Sequence, residues 1–573
     1  MSDDLARIRE EERAVRDAYD SVPYPSASQH HTHPDHLAAL AILNGLDPAP
    51  PQRCRVLELG CADGGNLIPM AAELPESRFT GIDLSPKQIE SGRAAVAEEG
   101  LTNLDLRAMS ILDIDTGEWG VGGRESETDG LQPASSVTQL KNLGEPGAPL
   151  PPPTPDTPLP NQFDYILCHG VFSWVTPEVQ EKILAICRTH LAPNGVAYIS
   201  YNTYPGWHLR EVVRDMVVFH TRHVTDTEER TARAFELVQF LAETSAGGGE
   251  AHALVMRTAR EHFEEFRHRP TYLAHEYLER TNAPMYFHEF AARAAGHGLQ
   301  YMSEAEPSAM EADNLAPAVA ERLHQFTSDR IELEQYVDFA ANRMFRRTLL
   351  CHDEAQLDRA ATPEKLRRLY VSSTAKPASD APQARGNGSE SFRTERGAAF
   401  SSTHPLAKAA LVALFAAWPE AIGFDALRTG IARLLDEGPP DDDALTDLLS
   451  SLHGTGVITL HASPPNCTRG ISAFPRVSAL ARHQATAGLL VTNQHRRVVR
   501  LDDPFVRFLV RHLDGTRSHA DLVRLLDAEV TAGRLDVSTD GQPIREPQRI
   551  PAVLQALVAH HLRQMAEYAL LVG

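Results

Sequence analysis

Residues 56–66, VLELGCADGGN, place an acid, three glycines and an asparagine directly after an apolar run. A strand ending this way can press backbone amides against a ligand, because Gly60, Gly64 and Gly65 carry no side chains to hold it off. Glu58 stands two residues before the first glycine, where a carboxylate can reach a ligand's cationic end through water or backbone. Asp83 closes the next apolar run, in GIDLS, about 20 residues on, the place where a carboxylate grips both ribose hydroxyls. The glycine spacing misses the G-x-G-x-x-G of dinucleotide binders. E-x-G-x-x-x-G followed by Asp83 points instead to S-adenosylmethionine.

A second group of residues lies further along. His169 follows a fourth strand signal, at the sheet edge where open α/β sheets bind ligands, and is a candidate for cofactor or substrate contact. Trp174, Tyr201, Asn202 and Tyr204 are expected at the same edge as the lining of an acceptor pocket. Methyl transfer is an in-line displacement that needs alignment and exclusion of water rather than a protein nucleophile, so no catalytic side chain is singled out. His30, His31, His33 and His36 in HHTHPDH have no second ligand group in sequence, and they are expected to form a helix cap or a closing loop rather than a metal site. The six cysteines form no CxxC pair.

Strand and helix signals alternate around these motifs: strands at 55–59, 79–82, 104–109, 163–168 and 196–201, helices at 65–74, 86–99 and 177–191. Alternation of this kind predicts βαβ units and a parallel sheet covered on both faces. Residues 1–306 are expected to form one cofactor-binding domain, with a Pro-rich disordered insertion at 117–162, a helical cap at 207–285 and a late strand in GLQYMSEAEP. A helical region at 307–371, a linker at 372–403, a winged-helix-like domain at 404–470 and a second one at 471–573 follow. All candidate site residues lie at or before Tyr204, so a chain ending near Val371 is expected to keep cofactor binding.

The net charge of −22 over 573 residues leaves no global positive field for nucleic acid or an anionic membrane. Between Arg433 and Arg469 there is no Lys or Arg, while Asp436, Glu437, Asp441, Asp442, Asp443 and Asp447 are acidic, so the first winged helix is expected to face protein rather than DNA. No apolar run is long enough for a membrane span and no leader pattern opens the chain, which predicts a cytoplasmic protein.

With these residues in place the chain resembles the class I S-adenosylmethionine-dependent methyltransferases over about residues 15 to 205. The resemblance implies a Rossmann-like sheet with a helical cap. It puts the methionine moiety near Glu58–Gly64, thus against Gly60, Cys61, Ala62 and Asn66, and the ribose on Asp83. Adenine would lie between Leu84 and Met109-Ser110-Ile111, where Ser110 stands in for an Asp of many members. A narrower set of motifs, YDSVPYPSASQHHTHPDHLAALAILNGLDP, CHGVFSWV, YNTYPGW, HEYLERTNAPMYFHEFAARAAGHGLQY and RMFRRTLLCH, is similar to bacterial proteins with a methyltransferase regulatory domain, among them rickettsial-type outer-membrane-protein lysine methyltransferases. That likeness implies a protein substrate with accessible lysines, and a homodimer. A small-molecule O- or N-methyltransferase with His169 as base, or a regulator that senses S-adenosylmethionine without turnover, would share the same cofactor residues.

Overall fold

The computed structural model describes residues 2–573 except 25, 117–161, 246–248, 310–314, 396, 537, 540–541 and 544–549. The insertion expected at 117–162 falls, but for Gln162, outside the described residues.

The sheet begins with β1 (Arg55–Leu59), β2 (Arg78–Asp83), β3 (Leu104–Ala108), β4 (Phe163–Cys168) and β5 (Leu191–Asn202), all parallel, and ends with β6 (Leu299–Glu304) and β7 (Phe345–His352). Its order among the described residues is β3-β2-β1-β4-β5-β7-β6, with β7 antiparallel to both neighbours. The order reverses between β1 and β4, which leaves a crevice beyond their carboxyl ends. Helices α2 (Pro34–Leu43), α3 (Leu67–Glu73), α4 (Pro86–Glu98) and α5 (Pro177–His190) cover the faces. Side chains alternate along each strand: Val56, Tyr165, Leu167, Val196 and Tyr198 pack into one buried layer with α2 and α3, while Leu57, Leu59, Ile166, Ala197 and Ile199 pack into the other with α5. Local chemistry sets the helix starts. Ser85 caps α4 by accepting from Gln88 N at 3.2 Å, and Pro86 follows at the first helical position.

Helix α1 (Ser2–Ser21) precedes this core, and a helical cap follows β5, made of α6 (His208–Thr221), α7 (Thr227–Thr244), α8 (Glu250–Glu265) and α9 (Pro270–Tyr277) around Val217, Val238, Met256 and Phe263. Then come α10 (Phe287–Gly296), α11 (Pro317–Phe326) and α12 (Arg330–Ala341).

Three expectations are corrected. The region 307–371 is not helical throughout: β7 runs through it and completes the sheet between β5 and β6, so the catalytic sheet does not end at residue 306. Its Arg346 is fully buried and held by Glu304, Asp338 and Glu334 at 2.8, 2.8 and 3.0 Å. The linker expected at 372–403 is folded. Lys376–Pro377, Glu390–Arg393 and Ala399–Ser402 pair as an antiparallel sheet, Ala384 and Phe392 are buried, and Lys408 Nζ donates to the carbonyls of Arg385, Gly386 and Gly388 at 3.3, 2.8 and 2.8 Å.

The first winged-helix unit likewise begins before residue 404. Its sheet has Tyr370–Ser372 as the middle strand between Ile422–Gly423 and Thr459–His461, packed on helices Pro405–Ala417, Phe424–Leu435 and Asp442–Gly454. The C-terminal unit packs helices Ala479–Ala487, Pro504–His512, His519–Thr531 and Ile550–Glu567 around Leu509, Leu526, Leu554 and Leu562. Among the described residues, no helix is long and apolar enough to cross a membrane.

Candidate functional site

A cavity of about 530 Å³ opens at the carboxyl ends of β1 and β4, where the strand order reverses. The turn after β1 forms its floor. Gly60 has φ +74, and a methyl group there would stand 2.4 Å from Val171 Cγ2, so only glycine fits. Gly60 N and Cys61 N donate to Ile82 O at 2.8 and 2.9 Å, which ties the turn to β2. Ala62 is left-handed at φ 51, and its amide donates to Asp83 Oδ2 at 2.8 Å. Asp83 Oδ1 accepts from Ser85 N at 2.9 Å. Enclosure pushes the Asp83 carboxyl above its ordinary range, and these two amides oppose that.

Glu58 is buried in the wall. Its Oε1 accepts from Asn66 Nδ2 at 2.7 Å, while Oε2 has no hydrogen-bond partner. Burial pushes its carboxyl up to about 8, against the opposing Asn66 bond. Asn66 Oδ1 in turn accepts from Gln29 N at 2.9 Å.

Leu84, Ser110, Ile111 and His169 line the same cavity, as do Trp174 and Asn202. His169 Nδ1 lies 3.1 Å from Tyr198 Oη, and burial together with the Arg347 charge lowers its imidazole to about 4. Trp174 and Trp207 meet edge to face at 6.2 Å. Asn202 is buried with its Nδ2 unpartnered.

Three expected residues do not form the walls. Gly64, at φ +79, supports the turn, its amide donating to Cys61 O at 2.9 Å, and a methyl group on it would stand 3.1 Å from Leu106 Cδ1. Tyr201 points to the opposite face of β5 from Asn202, as strand alternation requires. It stacks on Phe290 at 4.2 Å with its hydroxyl 3.2 Å from Thr348 Oγ1. Tyr204 stacks on His208 at 4.0 Å and donates to Glu211 Oε1 at 2.6 Å, outside the cavity.

The structure adds walls that spacing near the glycine turn could not reveal. Glu12 and Tyr19 come from α1, Tyr24 from the segment after it, Trp207 from the position just before α6, Arg210 from α6, and Tyr272, His275 and Glu276 from α9. Tyr19 stacks on His275 at 4.7 Å, so the motifs YDSVPYPS and HEYLER meet over one site. Arg210 Nη1 bonds Glu276 Oε1 at 2.8 Å; burial raises the Glu276 carboxyl and Arg210 opposes it.

Comparisons with known proteins agree with this layout. Residues 57–197 match the methyltransferase domain family, residues 269–352 the predicted methyltransferase regulatory domain family, and residues 474–570 the PKMT C-terminal winged helix domain family. The chain is 30% identical over 572 residues to uncharacterized protein RP789 of Rickettsia prowazekii (strain Madrid E), covering 98% of this chain and 94% of that one. It is 33% identical over 277 residues to RP028 of the same organism, covering 48% of this chain and 93% of the relative. The structure of PKMT2 from Rickettsia typhi in complex with AdoHcy superposes with TM-score 0.78 at 27% identity, covering 96% of this chain and 100% of that chain. The chain therefore belongs to the family of RP789, the class I S-adenosylmethionine-dependent methyltransferases that join a Rossmann-like catalytic domain to a methyltransferase regulatory domain and a C-terminal winged helix.

Proposed function

We propose that this methyltransferase acts on lysine side chains of a protein substrate. The observation that carries the reading is the aromatic end of the cavity, where Trp174 and Trp207 meet edge to face and Tyr24 and Tyr272 line the same space. A lysine with its ordinary pKa of about 10.4 is only about one part in a thousand neutral at pH 7.4, a cost of about 4 kcal/mol before its lone pair can attack. An aromatic passage that strips water from the amine offsets that cost. Likeness to PKMT2 over nearly the whole chain supports the same acceptor.

The cofactor fits the residues present. Glu58 is among the residues lining the cavity, and its Oε2 is buried without a hydrogen-bond partner. When bound, S-adenosylmethionine supplies an electrophilic methyl group on its sulfonium. Glu58 takes the cationic end of the methionine moiety, supported by Asn66, while Gly60, Cys61 and Ala62 provide the close backbone. Asp83 accepts from the ribose hydroxyls, Leu84 and Ile111 enclose the base beside Ser110, and His169 borders the methionine side as a neutral imidazole. Asn202, accepting an N–H of the incoming amine through its amide oxygen, and Trp174 orient that amine and exclude water.

A hydroxyl acceptor deprotonated by His169 is disfavoured, because an imidazole lowered to about 4 is a weak base. The acidic helix Asp442–Gly454, preceded by Asp436, Glu437 and Asp441, suits a cationic protein segment. The test is second-order turnover against pH on a lysine-bearing protein. A slope rising towards about pH 9 and retained in His169→Ala is expected from lysine chemistry. A plateau that begins near pH 5 and disappears in that variant would overturn it.

A further inference from the structure

We propose that Glu12, carried by the N-terminal helix α1, is the residue that selects adenine in the cofactor, taking the place of the acid that the loop after β3 lacks. The inference rests on the cofactor placement proposed above and extends it to a residue far outside the glycine turn.

The loop after β3 offers Ser110, a neutral hydroxyl that is already committed. Ser110 Oγ accepts from Leu112 N at 3.0 Å and donates to Glu12 Oε1. Glu12 thus brings a carboxylate to the loop from a different element. It lines the same cavity as Leu84, Ser110 and Ile111, and its side chain is only 14% exposed. Its other oxygen, Oε2, pairs with Arg9 Nη1 at 2.7 Å, and Arg9 also bonds Asp113 in the loop after β3.

The helix is docked at both flanks of the base position. Asp20 near its end accepts from the Ser85 hydroxyl, and Lys87 Nζ donates to Asp20 O at 2.8 Å, so α1 spans the loops after β2 and β3. A largely enclosed carboxylate accepts hydrogen bonds and cannot donate them. It favours the exocyclic amine of adenine and repels a base with a carbonyl at that position, and a site built to bond an amine discriminates strongly against its carbonyl analogue.

The test uses the full-length protein and two probes, S-adenosylhomocysteine and S-inosylhomocysteine, in which a carbonyl replaces the amine. Calorimetry on the wild type is expected to favour the adenosyl compound by at least about tenfold. Glu12→Ala should weaken the adenosyl compound by about tenfold and leave the inosyl compound within about twofold. Glu12→Gln keeps an acceptor for Ser110 and adds a donor for the carbonyl, so it should narrow the ratio with the helix still docked. An unchanged ratio in both variants, or equal loss of both probes, would overturn the assignment. Failure of the wild type to bind S-adenosylhomocysteine would instead overturn the cofactor placement itself.

Discussion

Arg496 Nη1 of the C-terminal unit lies 2.7 Å from Asp35 Oδ2 in helix α2, and its Nη2 lies 2.7 Å from Glu73 Oε1 at the end of α3. Asp35 is almost wholly buried and also accepts from His461 Nδ1 at 2.9 Å and Ser463 N at 2.8 Å. The C-terminal units are therefore bolted to the helix that follows the cofactor turn.

Removing one partner of a buried ion pair leaves the other charge unpaired, at a cost of about 3–5 kcal/mol. Arg496→Met and Asp35→Asn should each lower stability by about that much in denaturant titrations, with a double variant less impaired than the sum. Burial opposes the Asp35 charge, but Arg496 and His461 outweigh it and hold its carboxyl well below the usual range. The stability it contributes is thus full above that range and lost as pH falls through it. Additive effects would mean that the contact is not energetically coupled.

Glu58 gives a proton-linkage signature. Its carboxyl, raised to about 8 by burial, is protonated at neutral pH in the free protein, and a cationic ligand favours the ionised form. Cofactor binding at pH 7 should release close to one proton, seen as a buffer-dependent heat, and affinity should fall as pH drops below about 8. Glu58→Gln should abolish the release. The same raised carboxyl makes the free protein less stable as pH rises from the ordinary carboxyl range towards 8, and the Gln variant should lack that decline.

Asp83→Ala should weaken the cofactor at least tenfold, from the loss of charge-assisted bonds of about 1.5–3 kcal/mol each. It also takes the acceptor from Ala62 N, whose left-handed conformation then lacks support, so a modest fall in thermal midpoint should accompany it. Unchanged affinity by calorimetry would place the ribose elsewhere.

The parallel strands, their helices and the glycine turn were legible because each is a local pattern. Strand β7 was not. Thr348, Leu349, Leu350 and Cys351 are buried on both faces, so the alternation that marks a half-exposed strand is missing. Arg346 and Arg347 also look like a solvated helix face until Glu304, Glu334 and Asp338 are brought in from other elements. The segment 372–403 reads as a linker by its Ser, Pro and Gly content, yet Ala384 and Phe392 suffice to dock it on a neighbouring core. Within the site, Asn202 and Trp174 line the cavity, whereas Tyr201, expected beside them, faces the other side of its strand. The walls supplied by Glu12, Tyr24 and Glu276 depend on tertiary packing of α1 and α9, for which no spacing rule exists.

The most direct test is to incubate the protein with methyl-labelled S-adenosylmethionine and a bacterial lysate, separate protein from small molecules, and hydrolyse the protein fraction to amino acids. Label recovered in methylated lysine, and reduced in step with cofactor affinity in Asp83→Ala, is the expected result. Label confined to the small-molecule fraction, or to another amino acid, would contradict a protein lysine acceptor.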